Sequence, residues 1–380
     1  MIRKSVARTA LGIGLCGAAG LGWGLLENRA FTLRYRSLML PPQENEENES
    51  GRPSSSSLKI LHLSDIHLLP NDTSKIDYIR SLAETEPDFL VITGDSLSSV
   101  HSLDSLMRAL EPFVGIPGAF VYGSNDYYSP IPKNPFAYLL PIEAKNLERE
   151  MDLPWEEMSQ RFEESGWVNL NNRRATMNVD EWVIDLVGMD DPHINRAHMP
   201  AVRDDGMRAM QGEKAGDSLR HGDCGNMADT VKNRAEDTGT NGESSPPHGG
   251  ATDSRRIDDV AQHIRIGLVH APYLWALQAL YEDGVELAFA GHTHGGQLAL
   301  PCIGSLTTNC DLPTAYDSGL FTWPLGTSGA PLRRDGDFNM QQHTMAVQLS
   351  AGMGGTPYVP LRVLRKPEAT LLAVTRAELG

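Results

Sequence analysis

Aspartate, asparagine and histidine recur in this chain at the ends of short apolar runs. Asp65 and His67 follow LKILHLS, Asp95 follows FLVITG, Asn125 and Asp126 follow GAFVYGS, His270 follows IRIGLV, and His292 and His294 sit in AGHTHGG. Imidazole mixed with carboxylate suits zinc, iron or manganese, whereas all-oxygen sets suit magnesium or calcium. The set Asp65, His67, Asp95, Asn125, His270, His292 and His294 is too large for one ion with open positions. It matches two ions sharing a bridging carboxylate. Ion pairs about 3.5–4 Å apart serve hydrolysis at phosphorus and in some peptidases. A peptidase centre calls for more carboxylates than this set contains.

The elements that carry these residues follow from pattern. Apolar runs of four to eight residues suit buried strands. Between the first two runs, residues 74–86 place Ile76, Ile79, Leu82 and Ala83 on one helix face. The order strand–helix–strand makes the two strands parallel neighbours. Helical patterns over 103–110 and 274–283 repeat the alternation. Ligands of open α/β sheets bind at the carboxyl ends of strands, so the predicted site is one sheet edge.

Length and charge bound the rest. A chain of 380 residues allows one large domain or two ordinary ones, at roughly 150 residues each. The formal charge of −16 excludes a protein that coats nucleic acid by charge. It leaves room for a phosphate site whose local field a metal reverses. Cys16, Cys224, Cys302 and Cys310 form no C-x-x-C pair, which argues against a four-sulfur zinc site. Cys302 and Cys310 either pair in an oxidising compartment or act as small apolar fillers.

Residues 9–26 carry no charge and follow Arg3, Lys4 and Arg8. Spanning a bilayer takes about 20 apolar residues. Residues 1–40 therefore read as a membrane anchor or signal-like segment, uncleaved and single-pass in the cell membrane. A buried glycine-rich helix is the alternative. Arg29, Arg34 and Arg36 after the span balance the basic residues before it and leave the orientation open. Residues 41–57 read as a polar linker. Residues 58–375 read as one domain, interrupted at about 196–262 by a stretch without Phe, Tyr or Trp that reads as a disordered insertion.

Asp65-x-His67, Gly94-Asp95, a glycine–asparagine element at 123–126, His270 and Gly291-His292-Thr293-His294, in that order, resemble the calcineurin-like metallophosphoesterase superfamily. GHTHGGQLALP, DDPHINRA and TPYVPLRVLRKPEATLLAV resemble its membrane-associated bacterial phosphohydrolase branch. The resemblance covers roughly residues 58–194 and 263–375. It implies an α/β fold, a four-layer α/β/β/α sandwich of two mixed sheets with the metal site at strand C-terminal ends. Carried over by position, Asp65, His67 and His294 would hold one divalent ion (Mn, Fe or Zn). Asp95 would bridge, and Asn125, His270 and His292 would complete the second ion's set. The implied activity is phosphoester hydrolysis, as a phosphodiesterase, by water activated between the ions. The anchor, by location alone, points to lipid-linked or envelope phosphates as substrates, and the metal set does not distinguish monoesters from diesters.

One element departs from the family. Its usual Gly-Asn-His-Asp or Gly-Asn-His-Glu is here Gly123-Ser124-Asn125-Asp126. An ungapped alignment through Tyr127 puts Ser124 at the metal position. A one-residue shift keeps Asn125 as ligand and puts Asp126 where the family's general acid stands. Asn125 is the expected ligand, because a neutral amide oxygen binds a cation better than an un-ionised hydroxyl. His193, in the Asp190-Asp191-Pro192-His193 turn, is a second candidate acid, or else caps its turn. Tyr127 and Tyr128 are placed at the substrate opening. The missing histidine also motivates another reading, a metal-binding scaffold of the same fold with lost or residual catalysis.

Overall fold

Two sheets form because the central strands are near-continuous apolar runs buried on both faces. The computed structural model describes residues 20, 22–42, 56–131, 149–201, 262–300, 303–326, 336–355, 358 and 360–377. Most of the expected anchor and linker, and residues 202–261 of the expected insertion, lie outside the described residues. The first sheet runs in the order β13 (Gly336–Asn339), β1 (Thr32–Leu40), β15 (Glu368–Arg376), β2 (Leu58–Leu63), β3 (Phe89–Thr93), β4 (Gly118–Val121) and β5 (Trp167–Asn169). The second runs β12 (Gly319–Trp323), β14 (Met345–Leu349), β9 (Leu287–Ala290), β8 (Gln262–Leu268), β7 (Trp182–Gly188) and β6 (Arg173–Val179). Both are mixed. β2 to β5 are parallel while β15 opposes β2. In the second sheet β14, β9, β8 and β7 are parallel while β12 and β6 run against their neighbours. A small hairpin joins β10 (Ala299–Leu300) to β11 (Gly304–Ser305).

Three apolar clusters separate four layers. In β3, Phe89 and Val91 face the second sheet, whereas Leu90 and Ile92 face helices. β9 divides the same way, with Leu287 and Phe289 between the sheets and Ala288 and Ala290 outside. Helices α1 (Thr73–Ser81), α2 (Leu103–Leu110) and α3 (Trp155–Glu164) cover the first sheet through Ile76, Ile79, Leu106 and Phe162. Helix α4 (Leu274–Glu282) covers the second through Ala276, Leu277 and Leu280. The expected α/β/β/α sandwich is the observed architecture.

The start of the domain differs from the sequence reading. Residues 32–40, placed there with the anchor, form β1, parallel to β15 from Thr32↔Glu368 to Leu40↔Arg376. Its alternation buries Arg36, Leu38 and Leu40. Arg36 donates to Gln348 of the second sheet at 2.8 Å and to Thr370 at 3.2 Å, so a buried guanidinium ties the sheets together. Residues 196–198, counted with the insertion, are held by the domain: Arg196 N–H donates to Asp191 O and His198 N–H to the Asn172 side chain. Among the described residues no helix is long and apolar enough to cross a membrane.

A chain beginning at residue 30 is expected to stay soluble and unfold cooperatively in urea, whereas one beginning at residue 58 leaves β15 and β13 without their shared partner and loses that transition. Within the longer chain, Leu38→Ala is expected to cost about 2–5 kcal/mol of unfolding free energy, read from the urea midpoint.

Candidate metal centre

The site residues project from strand ends where the backbone turns left-handed. Asp65 (φ 48°), His67 (φ 45°), Asp95 (φ 53°), His292 (φ 70°) and His294 (φ 49°) all adopt this conformation. It costs a non-glycine residue on the order of 1–3 kcal/mol and persists only where surroundings enforce it. Here the loops after β2 and β3 stay paired. Asp65 N–H donates to Gly94 O and His67 N–H to Asp95 O, each at 2.9 Å. Gly123 allows the close approach of the next loop, because a Cβ there would strike Asp95 Oδ1 and the His270 ring.

Asp95 lies between two imidazoles. His67 Nε2 is 3.4 Å from its Oδ2 and His270 Nε2 is 3.6 Å from its Oδ1. His294 Nε2 is 3.7 Å from Asp65 Oδ1. Two groups of donor atoms lie within 4.8 Å of one another, Asp65 with His67 and His294, and Asp65 with Asp95 and His270. The outward-facing ring nitrogens are fixed by other bonds. His67 Nδ1 meets Ser98 Oγ at 3.4 Å, His270 Nδ1 meets Thr93 O at 2.6 Å and His294 Nδ1 meets Gly354 O at 3.1 Å. His292 is held the other way round, through Nε2 to Asn309 O at 3.2 Å. A carbonyl on one ring nitrogen sets the tautomer and aims the other at a metal.

The electrostatics fit a cation. Burial pushes His67 down to about 4, and burial with the Arg362 charge pushes His294 down to about 3. Burial and the neighbouring His193 and His270 also lower His292 well below its usual value. These rings are held neutral, as metal ligation requires. Burial works to raise Asp95, but His270, His67 and the Asn125 hydrogen bonds outweigh it and the net direction is down. Burial works to lower His270, yet the carboxylates of Asp95, Asp191 and Asp65 carry it up to about 9. His67 Nε2 and His270 Nε2 are buried without a hydrogen-bond partner. Two orphaned ring nitrogens facing a carboxylate are what a divalent ion would satisfy, so the residues fit the group.

Asn125 donates to Asp95 through both its backbone and its side chain. Its backbone N–H donates to Asp95 Oδ1 at 2.8 Å and its amide nitrogen lies 2.7 Å from Oδ2. Asp126 is placed differently from a proton donor. It is fully buried, and its two oxygens accept from the N–H groups of Asp95, Ser96 and Gly123 at 2.8, 2.8 and 2.9 Å. It clamps the two loops together and presents no free oxygen to a substrate. Tyr127 is also corrected: it is 1% exposed and donates to Asp190, with Arg196 stacked over its ring at 4.4 Å. Tyr128 is buried too.

His193 does reach the site. Its ring lies 4.6 Å from that of His292, its Nδ1 is 3.1 Å from Tyr273 Oη, and it is half-exposed. The sequence reading gave no role to Asp191, which the same turn brings in. Asp191 is fully buried, one oxygen accepts from His193 N–H at 2.9 Å, and the other has no partner. The paired aspartates before Pro192 were its only signal.

A calcineurin-like phosphoesterase family model matches residues 58–296. A bovine (Bos taurus) transmembrane protein with metallophosphoesterase domain is 31% identical over 166 residues, 42% of this chain and 33% of that protein. An uncharacterized metallophosphoesterase of Bacillus subtilis is 24% identical over 160 residues, 40% of this chain and 50% of that one. The chain thus spans a third to a half of the length of these curated relatives. A purple acid phosphatase from yellow lupin superposes with a TM-score of 0.32 and 11% identity, over 63% of this chain and 38% of that one, a likeness too slight to bear on the fold.

Asp126→Asn puts an amide where three backbone N–H groups need acceptors. The variant is expected to lose about 2–4 kcal/mol of stability, since unsatisfied buried donors cost about 1–3 kcal/mol each. Urea unfolding reads this directly, and an unchanged midpoint would remove the clamp from the account.

Proposed function

The chain belongs to the calcineurin-like phosphoesterase family, and we propose that it is a metal-dependent phosphoester hydrolase acting on diesters at a centre of two divalent ions. The observation that carries this reading is the position of Asp95, one oxygen toward His67 and the other toward His270. In the proposed assignment Asp65, His67 and His294 hold one ion. Asn125, His270 and His292 hold the other, and Asp95 is shared. The imidazole and carboxylate set suits manganese, iron or zinc. Divalent ions held there supply Lewis-acid chemistry to a phosphoryl group and a water.

The chain's own groups supply orientation and a proton. Asn125 and the N–H of His292 fix the Asp95 and Asp65 carboxylates. With Asp126 occupied by backbone donors, the proton for the leaving oxygen is assigned to His193. Tyr273 orients its ring and the Asp191 carboxylate anchors its backbone. We also place the protein at a membrane. Residues 9–26 are uncharged, and the bovine relative is named as a transmembrane protein. Membership of a membrane-associated branch belongs to this proposal.

The clamped state of Asp126 also favours a second reading, a metal-binding scaffold without turnover. The two separate on the full chain loaded with manganese, with bound metal counted and turnover followed on bis-p-nitrophenyl phosphate and p-nitrophenyl phosphate. The expected result is diester hydrolysis that EDTA abolishes and manganese restores. Asp95→Ala should lose both turnover and bound metal. Two bound ions with no turnover on either ester would establish the scaffold. His193→Ala is expected to slow an alkyl diester, a poor leaving group, by about 10²–10⁴-fold while sparing the p-nitrophenyl ester. Equal rates on the alkyl ester would remove His193 from the mechanism.

A further inference from the structure

A groove of about 430 Å³ opens beside the metal ligand His67, within the roughly 300–1,000 Å³ of small-molecule sites. Its apolar lining comes from three places in the chain. Leu25, Leu26 and Phe31 form one wall, and Leu69 and Pro360 complete the apolar lining. Leu25, Leu26 and Leu69 are 50%, 72% and 40% exposed, so the walls stay open to a guest. The polar lining is Asn28, Arg29, Asp72 and Lys75 beside His67. Asp72 is paired with Lys75 at 3.5 Å, which removes its charge as an obstacle to an anion. Arg29 is exposed and makes no ion pair among the described residues.

The first wall is fastened to the metal centre. The Gly24 carbonyl accepts from Arg362 N–H at 3.2 Å, and the Glu27 carboxylate accepts from Leu364 N–H at 2.9 Å and from the Trp23 indole at 3.0 Å. Arg362 in turn donates to the carbonyls of His294, Gly352 and Gly354, and Gly354 O receives His294 Nδ1. One short strap thus lines the groove and braces a metal ligand.

We propose that this groove takes the hydrocarbon part of an amphiphilic phosphodiester, whose phosphate lies at the metal centre and whose chain runs between Leu25–Leu26 and Leu69. A water-soluble ester needs no apolar wall at a phosphate site, and a cation at the mouth, Arg29, matches an anionic head group. The inference rests on the phosphodiesterase reading above and adds the class of substrate.

The test uses the full manganese-loaded chain in a non-ionic detergent, with methyl p-nitrophenyl phosphate and dodecyl p-nitrophenyl phosphate at fixed mole fraction. The dodecyl ester is expected to have a kcat/KM at least about tenfold higher, since each buried methylene adds to binding. Leu25→Gln with Leu26→Gln should cut that ratio at least about fivefold through KM, and Leu25→Met with Leu26→Met should preserve it. A ratio near one in the unaltered chain, or a ratio that the glutamine pair leaves in place, overturns the proposal. If neither ester is hydrolysed, the phosphodiesterase reading fails by itself. The groove is then judged by calorimetric binding of dodecyl phosphate against methyl phosphate with the same variants, and equal affinities overturn it.

Discussion

Asp65 and Asp95 are enclosed side by side, and among the described residues the basic side chains against their oxygens are the imidazoles of His67, His270 and His294, of which His67 and His294 are held neutral. Burying a carboxylate costs several kcal/mol unless charge and hydrogen bonds compensate. Backbone donors carry much of that compensation. Asp65 accepts from His292 N–H and Ser64 Oγ–H, and Asp95 from Asn125 N–H. Asp126, a third buried carboxylate next door, takes three more N–H groups. What remains is a negative field strong enough to raise His270 to about 9 against its own burial. A divalent cation is the charge that such a field accommodates.

That arrangement can exist only at the seam of the two sheets. The first sheet brings Asp65, His67, Asp95 and Asn125 to its edge, and the second brings His270, His292 and His294. Their distances are set by how the sheets register, which depends on the cluster that includes Phe89, Val91, Ile266 and Phe289. Polar ties reinforce the register. Arg36 crosses to Gln348, and His62 bonds Thr93 at 2.8 Å while its ring packs edge-on against Phe289. Loosening that interior would move ligands apart without touching any of them, so stability and site geometry are coupled here.

The strands that hold ligands were legible because each is a local apolar run that stops at a polar residue. β2, β3, β4, β8 and β9 all show this, and the helices between them show a helical period. β1 was not legible in the same way. TLRYRSLML follows directly on an uncharged stretch, and its partner β15 lies more than 330 residues away. Nothing local announces such a pairing. Asp126 illustrates a second limit: a carboxylate beside a metal ligand reads as chemistry, whereas its three backbone donors come from residues 95, 96 and 123 and appear only in the fold. Asp191 is the converse, a residue made relevant by a turn that buries it within the electrostatic reach of His270 and Asp95.

The altered element at 123–126 shifts where the proton chemistry must sit. Asn125 keeps its hold on Asp95, while Asp126 is committed to backbone N–H groups from both sides of the loop pair. A histidine at 126 could not accept three such bonds, so the clamp depends on a carboxylate there. His193 is a protic group packed on His292. The apolar groove begins instead at His67. In the proposed assignment these two histidines serve different ions. The two ends of the centre are therefore chemically unlike, one apolar and one protic. On the proposed reading, a diester lying across them would direct its hydrocarbon arm toward the groove and its leaving oxygen toward the imidazole.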